Sequence, residues 1–342
     1  MRRVTRGWML TAALGVVLTG ALPGCKNGGG GDPGDAGGQG DGAANLDGSA
    51  QPDGGALPDA GPLPDGGGPG PDAGGTEIEQ VCNRWAADRQ DLSEGTWSGS
   101  VGSCDPGDVS ANGRANALKL VNLYRWLADL PPSTTDPGRD SNAQACALMM
   151  DANNQLSHSP PANWTCYTSA GAGAAGASNI ATTAGVAAVD LYMADPGNPS
   201  TIGHRRWILS NSLGAIGLGT TDSYSCMTVI GTGGSAGAAW TSWPPPGVFP
   251  HAAVQASWTS IDSTGWTVQS DSISLAGAQV SVTTSGQDRP VNVTQLLGGY
   301  GSAHAISFIP SGWTTQPDTT YTVTVTGITP TITYDVQVVS CN

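Results

Sequence analysis

Charge is scarce in this chain. Of its 342 residues only 12% are Asp, Glu, Lys or Arg, and 13 basic residues face 27 acidic ones, for a net charge of −14. Beyond Arg2, Arg3 and Arg6 there is no run of Lys or Arg. Binding to phosphate backbones needs a basic footprint, so nucleic acid is excluded as a partner. No two cysteines stand in a CxxC arrangement, which removes dithiol redox and zinc-ribbon chemistry. Histidine occurs four times, so imidazole chemistry has few places to be. What is plentiful is small: Gly occurs 51 times, among much Ala, Ser and Thr. Such a composition suits a secreted, β-containing protein.

Residues 1–25 read as a bacterial-type export signal. Arg2, Arg3 and Arg6 precede an apolar stretch, Trp8 to Leu22, that is too short to span a bilayer comfortably. It ends in Leu22-Pro23-Gly24-Cys25, which resembles a lipoprotein signal whose cysteine is lipidated and becomes the mature N-terminus. The expected location is outside the cytoplasm, anchored to a bacterial membrane through Cys25, at the cell surface or secreted. Residues 26–76 contain eight Asp and one Lys, with Asp at 35, 41, 47, 53, 59 and 65 in a six-residue period. Few aliphatics accompany them, so no core can form. The segment reads as a disordered Asp/Gly/Pro-rich linker, about 40 Å from end to end on average.

Setting Cys25 aside leaves Cys82, Cys104, Cys146, Cys166, Cys226 and Cys341, an even number in an exported chain. Three disulfides are expected. Sequence order favours the neighbours Cys82–Cys104 and Cys146–Cys166, with Cys226–Cys341 tying the tail to the rest.

Folded sequence begins near Thr76. Cys82 to Trp97 reads as a short helix and loop. Leu120, Leu123, Tyr124, Leu127 and Leu130 fall at helical spacing within about 113–130, stopped by Pro131-Pro132. Further helices are expected over about 142–155 and 182–194, the latter ended by Asp195-Pro196-Gly197-Asn198-Pro199. Strands follow at 213–219 and 224–230. Trp243-Pro244-Pro245-Pro246-Gly247 reads as a boundary between a first domain, 77–245, and a second, 250–342. In the second, helical spacing gives way to short alternating runs at 254–258, 279–284, 291–296, 305–309, 321–326 and 333–338. That pattern predicts a small antiparallel β-sandwich.

Two motif matches carry no chemistry. Gly171 to Gly176 fits GxGxxG without the strand before it that a dinucleotide site needs. Gly233-Gly234-Ser235-Ala236-Gly237 fits GxSxG, but prolines arrive where a helix should follow. The histidines carry more. His158 lies in Leu156-Ser157-His158-Ser159, and His204 in Gly203-His204-Arg205-Arg206-Trp207-Ile208-Leu209. Both fall near helix ends, where a cleft can form, and neutral imidazoles bind divalent metal. Together they would make a weak site, with Asp190 and Asp195 the nearest acids. Arg205 and Arg206 are expected to pair with acids.

The order helix, Leu-Ser-His, Ser178-Asn179-Ile180-Ala181, helix, Gly-His-Arg-Arg-Trp-Ile-Leu, then Ile216-Gly217-Leu218-Gly219 resembles the CAP superfamily of cysteine-rich secretory, antigen 5 and pathogenesis-related 1 proteins. It looks most like the bacterial SCP-like secreted forms. The resemblance covers about residues 112–235. It implies an α-β-α sandwich, so that the expected fold class is α+β, a CAP-type α-β-α sandwich followed by the β-sandwich. It also implies an open cleft that commonly presents two His and two Glu. His158 and His204 match the two histidines; Ser178 stands where the first Glu belongs, with Asn179 beside it, and Asp195 is the nearest acid to the second. A serine cannot replace a carboxylate as general base or metal partner. The resemblance therefore implies a non-enzymatic protein that binds a lipid, glycan or protein ligand at the cell surface, with zinc possible at His158 and His204. The alternatives are a metal-assisted hydrolase or peptidase using that cleft, and a β-sandwich adhesion module with the CAP head as spacer.

Overall fold

The computed structural model describes residues 75–256 and 259–341. The export signal, Cys25 and almost all of the expected linker lie outside the described residues, as does the end of the run expected at 254–258. Thr76, read as the linker's last residue, is the N-cap of α1 (Glu77–Asp88). Its side chain accepts the Glu79 N–H, while the Glu79 carboxylate accepts the Thr76 N–H at 2.7 Å. This reciprocal arrangement satisfies two otherwise orphaned donors.

Two layers of helix enclose a small sheet. On one side lie α2 (Ala111–Leu127) and α5 (Gly185–Ala194); on the other lie α3 (Pro137–Asn153) and α4 (Ser169–Gly176). Between them β1 (Ser178–Ala181), β3 (Ser225–Thr228) and β2 (Gly217–Thr220) pair antiparallel, with β3 central. Strand alternation assigns the faces. Ile180 and Cys226 pack with α3 and α4; Ala181, Leu218 and Met227 join the core built on α2 and α5. Helix α3 begins earlier than its apolar spacing predicts, because Asp136 caps it by accepting the Arg139 N–H and Pro137 takes the first turn. The GxGxxG stretch lies in α4, where a Cβ on Gly171 would stand 3.0 Å from the Ala145 backbone. Its glycine serves close helix packing. A short helix, α6 (Gly203–Ile208), follows α5.

The second half is a sandwich of two sheets. One has the order β10 (Gln287–Asp288), β9 (Gln279–Thr284), β13 (Thr319–Thr326), β14 (Ile332–Val339), β5 (Gly247–Pro250). The other runs β11 (Val291–Gln295), β12 (His304–Pro310), β8 (Trp266–Ser270), β4 (Thr241–Trp243). A hairpin of β6 (Gln255–Ala256) and β7 (Thr259–Ser260) and the one-turn α7 (Ile261–Thr264) precede β8. Trp266, Phe308, Tyr321, Val323, Val325 and Val336 fill the space between the sheets.

The α+β class expected, α-β-α layers followed by a sandwich, is the one observed. The proline-rich segment at 243–247 connects β4 in one sheet to β5 in the other. The strand pairs of the two sheets are antiparallel except for β5, which pairs parallel to β14. The two halves share one continuous apolar core and lie within one compact unit. Tyr124 of α2 meets Trp243 edge-on at 5.4 Å, and Trp243 meets Phe249 at 5.0 Å.

The three disulfides join Cys82 to Cys341, Cys104 to Cys166 and Cys146 to Cys226. The expected pairs Cys82–Cys104, Cys146–Cys166 and Cys226–Cys341 are all absent. Layering is the physical reason. Cys146 on α3 faces the sheet that carries Cys226, so both are fully buried partners across a layer. Cys82 on α1 lies beside the sandwich that ends at Cys341. Among the described residues, no helix is long and apolar enough to cross a membrane.

Candidate functional site

The loop from α5 to α6 builds the site. It starts at Asp195, which closes α5 in the left-handed conformation (φ 51°), and ends at Ile202, also left-handed (φ 42°). A β-branched residue in that region is strained. Ile202 is held there by burial against Leu296 and Ala305 of the sandwich. The next turn of chain presents His204.

Asp195 is fully buried behind His204. Its Oδ2 accepts the His204 backbone N–H at 2.9 Å; its Oδ1 accepts from Asn198 Nδ2 at 2.7 Å and lies 2.8 Å from His204 Nδ1. An ionised carboxylate can only accept, so Nδ1 carries the proton and donates to Asp195, which leaves Nε2 as the ring's acceptor. The Tyr192 ring packs against the imidazole at 5.1 Å between centroids. Tyr192 in turn donates its hydroxyl to Asn179 O at 3.1 Å, and burial pushes that hydroxyl's pKa up. Asn179 donates to His204 O at 3.1 Å and so ties β1 to α6.

His158 is exposed, beyond the end of α3, with Nδ1 2.9 Å from Ala175 O. A carbonyl can only accept, so here too Nδ1 carries the proton and Nε2 is the acceptor. The two imidazoles, which lie far apart in sequence, line the same cleft together with Ser178 and Asn179. Ser178 is buried, its hydroxyl 3.1 Å from that of Thr228 directly opposite on β3.

Other residues fall elsewhere. Asp195 positions His204 from behind and does not line the cleft. Asp190 is turned to the far side of α5, where Arg89 holds it with two bonds of 2.8 and 2.6 Å and Tyr124 donates at 2.6 Å. Among the described residues Arg205 and Arg206 form no ion pair with an acid. Arg205 donates to the carbonyls of Met193, Ala194 and Gly265 and to the Thr264 hydroxyl; Arg206 donates to the carbonyls of Thr201, Leu297 and Ser302. Both bridge α6 to the sandwich. Burial pulls each guanidinium down to about 10, which leaves it charged at neutral pH.

Among the cleft residues that escaped sequence reasoning are Asn198, Thr201, Ile230 and Tyr300. Asn198 sits in the Asp-Pro-Gly-Asn-Pro helix stop, a polar pair whose side chains carried a readable signal. Tyr300 comes from the β11–β12 connection, and nothing in the local sequence links it to His204.

Residues 118–231 match the model of the cysteine-rich secretory protein family, CAP. Searches among curated proteins and among solved structures give no match. The CAP region holds α3 to β3 and most of α2, hence both histidines, Asp195 and Asn198, but not Tyr300. With three disulfides, it points to an extracellular protein. Among the described residues no group of three or more His, Cys, Asp and Glu is placed to hold a metal. The two imidazoles would supply two ligands, with water or a bound molecule completing the shell.

Proposed function

We propose that this is an exported, non-enzymatic binding protein whose cleft takes a cell-surface ligand beside a divalent cation held by Nε2 of His158 and Nε2 of His204. The observation that carries the reading is that two imidazoles, each with Nδ1 tied down, line one open cleft. Zinc suits a pair of neutral imidazole ligands. Asp195 behind His204 and the Ala175 carbonyl behind His158 are the outer partners that fix such rings and raise their basicity. With only two protein ligands the ion would be weakly held and would keep positions for the ligand. Lipid on Cys25 and the acidic linker would hold the folded part off a membrane.

Calorimetric titration of the protein with Zn²⁺ tests this. Wild type should bind one equivalent, and His158→Ala and His204→Ala should each lose it. Equal behaviour of all three removes the metal from the proposal.

The Asp195–His204 pair supports a second reading. A buried carboxylate that orients an imidazole is also how a general base is positioned, and a bound ion would activate water for hydrolysis. Turnover of peptides or cell-wall fragments that disappears in His204→Ala would decide for this hydrolase. Ser178 in place of a carboxylate weighs against it.

A further inference from the structure

The His158–His204 cleft does not end at the CAP region. His158, Asn198 and His204 line both a hollow of ≈280 Å³ beside the sandwich and a neighbouring one of ≈560 Å³. Thr182 and Leu191 are shared between the latter and a third hollow of ≈710 Å³, which reaches Arg89 and Glu94. Shared lining residues thus link the three hollows in a row, here called the groove. At its sandwich end Tyr300, 40% exposed, lies against Gly203, where a Cβ would come within 2.8 Å of the ring. Trp207 and exposed Ile230 complete that end.

We infer that this groove binds a linear, uncharged glycan chain, with Tyr300 of the sandwich and Trp207 of α6 as the aromatic platform for one sugar ring. The inference rests on the cleft being the binding site, as proposed above, and names its ligand class. Length is the first reason: linked hollows fit a polymer better than a compact molecule.

Charge is the second. The charged side chains of the groove already have partners. Arg89 is clamped on Asp190, and Glu94 accepts the N–H groups of Val186 and Ala187 at 2.6 and 2.8 Å, capping α5. None of the groove's Arg, Asp and Glu side chains is left free to hold an ionic ligand, and a net charge of −14 repels polyanions.

The third reason is chemical. Trp and Tyr rings offer flat apolar faces that match the C–H face of a sugar, with polar tips at the edge. Beside them the Thr201 hydroxyl and Asn198 Oδ1 make no hydrogen bond among the described residues and can meet sugar hydroxyls. An extended peptide would seek a free strand edge; β1, which lines the groove, is an edge strand of its sheet, but its residues are buried along its whole length. An acyl chain needs a dry channel, whereas this groove is open and carries hydroxyl, amide and imidazole groups.

The test is calorimetry on the full chain, with cello- and chito-oligosaccharides as probes and thermal melting as the check on folding. The hexasaccharides should bind more tightly than the disaccharides. Tyr300→Ala should weaken hexasaccharide binding at least about fivefold, the usual effect of truncating an aromatic anchor. Tyr300→Phe should keep it, and zinc binding should be the same in Tyr300→Ala as in wild type. The inference is overturned if folded wild type binds neither series, if Tyr300→Ala binds as wild type does, or if only a peptide library or fatty-acid vesicles bind. Zinc binding without glycan binding sinks this inference alone. Glycan binding that depends on Tyr300, without zinc binding, sinks the metal reading alone.

Discussion

The α-β-α layers and the β-sandwich fill their interiors by different means. The sandwich buries an apolar and aromatic set, Trp266, Phe308, Tyr321 and a ladder of valines, and has no disulfide between its own strands. The helical half buries Asn116, Arg125, Asp140, Gln144, Asp195, Arg205 and Arg206, and carries Cys104–Cys166 and Cys146–Cys226. Its helices also bury Leu120, Leu123, Tyr124, Met149 and Met193. Beside that apolar set, buried side chains that reach backbone groups do part of the holding. Gln144 accepts the Thr220 N–H at 3.1 Å and donates to Thr220 O at 2.7 Å; Arg125 donates to the carbonyls of Pro131, Ile208 and Ser210. The half held by polar reach is also the half that carries the cleft. A group able to hold a carbonyl in the interior can equally hold an imidazole at its edge, as Asp195 does.

Arg205→Met should show the difference most strongly. It keeps apolar volume but leaves the carbonyls of Met193, Ala194 and Gly265 buried without donors, at a cost of about 3 kcal/mol or more. Urea unfolding would read it. A neutral result would mean that apolar packing suffices at this junction, as it does in the sandwich, and the contrast would collapse.

Asp195→Asn is expected to act on the site more than on the fold. Its amide can still accept from the His204 N–H but no longer presents a carboxylate to Nδ1. Zinc affinity should fall about 10- to 100-fold, while stability drops by only about 1 kcal/mol. Loss of fold with affinity unchanged in the folded fraction would make Asp195 a loop staple only.

The smallest expected effect is in the pH profile. Burial raises the Asp140 carboxyl above its ordinary 3.8, against the opposing pull of the Leu218 N–H and Arg114. The folded chain therefore binds this proton more tightly than the unfolded one. Stability contributed here falls as pH rises from 3.8 through the raised value, then levels off. Asp140→Asn should flatten that slope, and an unchanged profile would show that the buried carboxylate is fully compensated.

Much of the frame was legible in sequence. Leu120, Leu123, Tyr124 and Leu127 line the buried face of α2, and the alternating runs at 279–284 and 321–326 are strands, because periodicity reports which face is buried whatever lies opposite. The helix starts at Thr76 and Asp136 were less visible, since a cap is a local hydrogen bond rather than a pattern. His158 and His204 could be picked out as rare, chemically capable residues near helix ends. The role of Asp195 could not: an acid near two histidines reads as a ligand until its side chain is seen behind the ring.

By itself, then, the sequence determined the helical and alternating segments, the even set of six cysteines, the acidic balance and the two imidazoles. Each is a property of composition or of spacing over a few turns. Tertiary structure alone decided which cysteines pair, that the proline-rich segment connects the two sheets of the sandwich, that Arg205 and Arg206 bind carbonyls rather than acids, and that Tyr300 stands at the end of the histidine cleft. These depend on contacts between residues tens to hundreds of positions apart. Such contacts are set when two layers and a sandwich close on one core, and no local pattern encodes them.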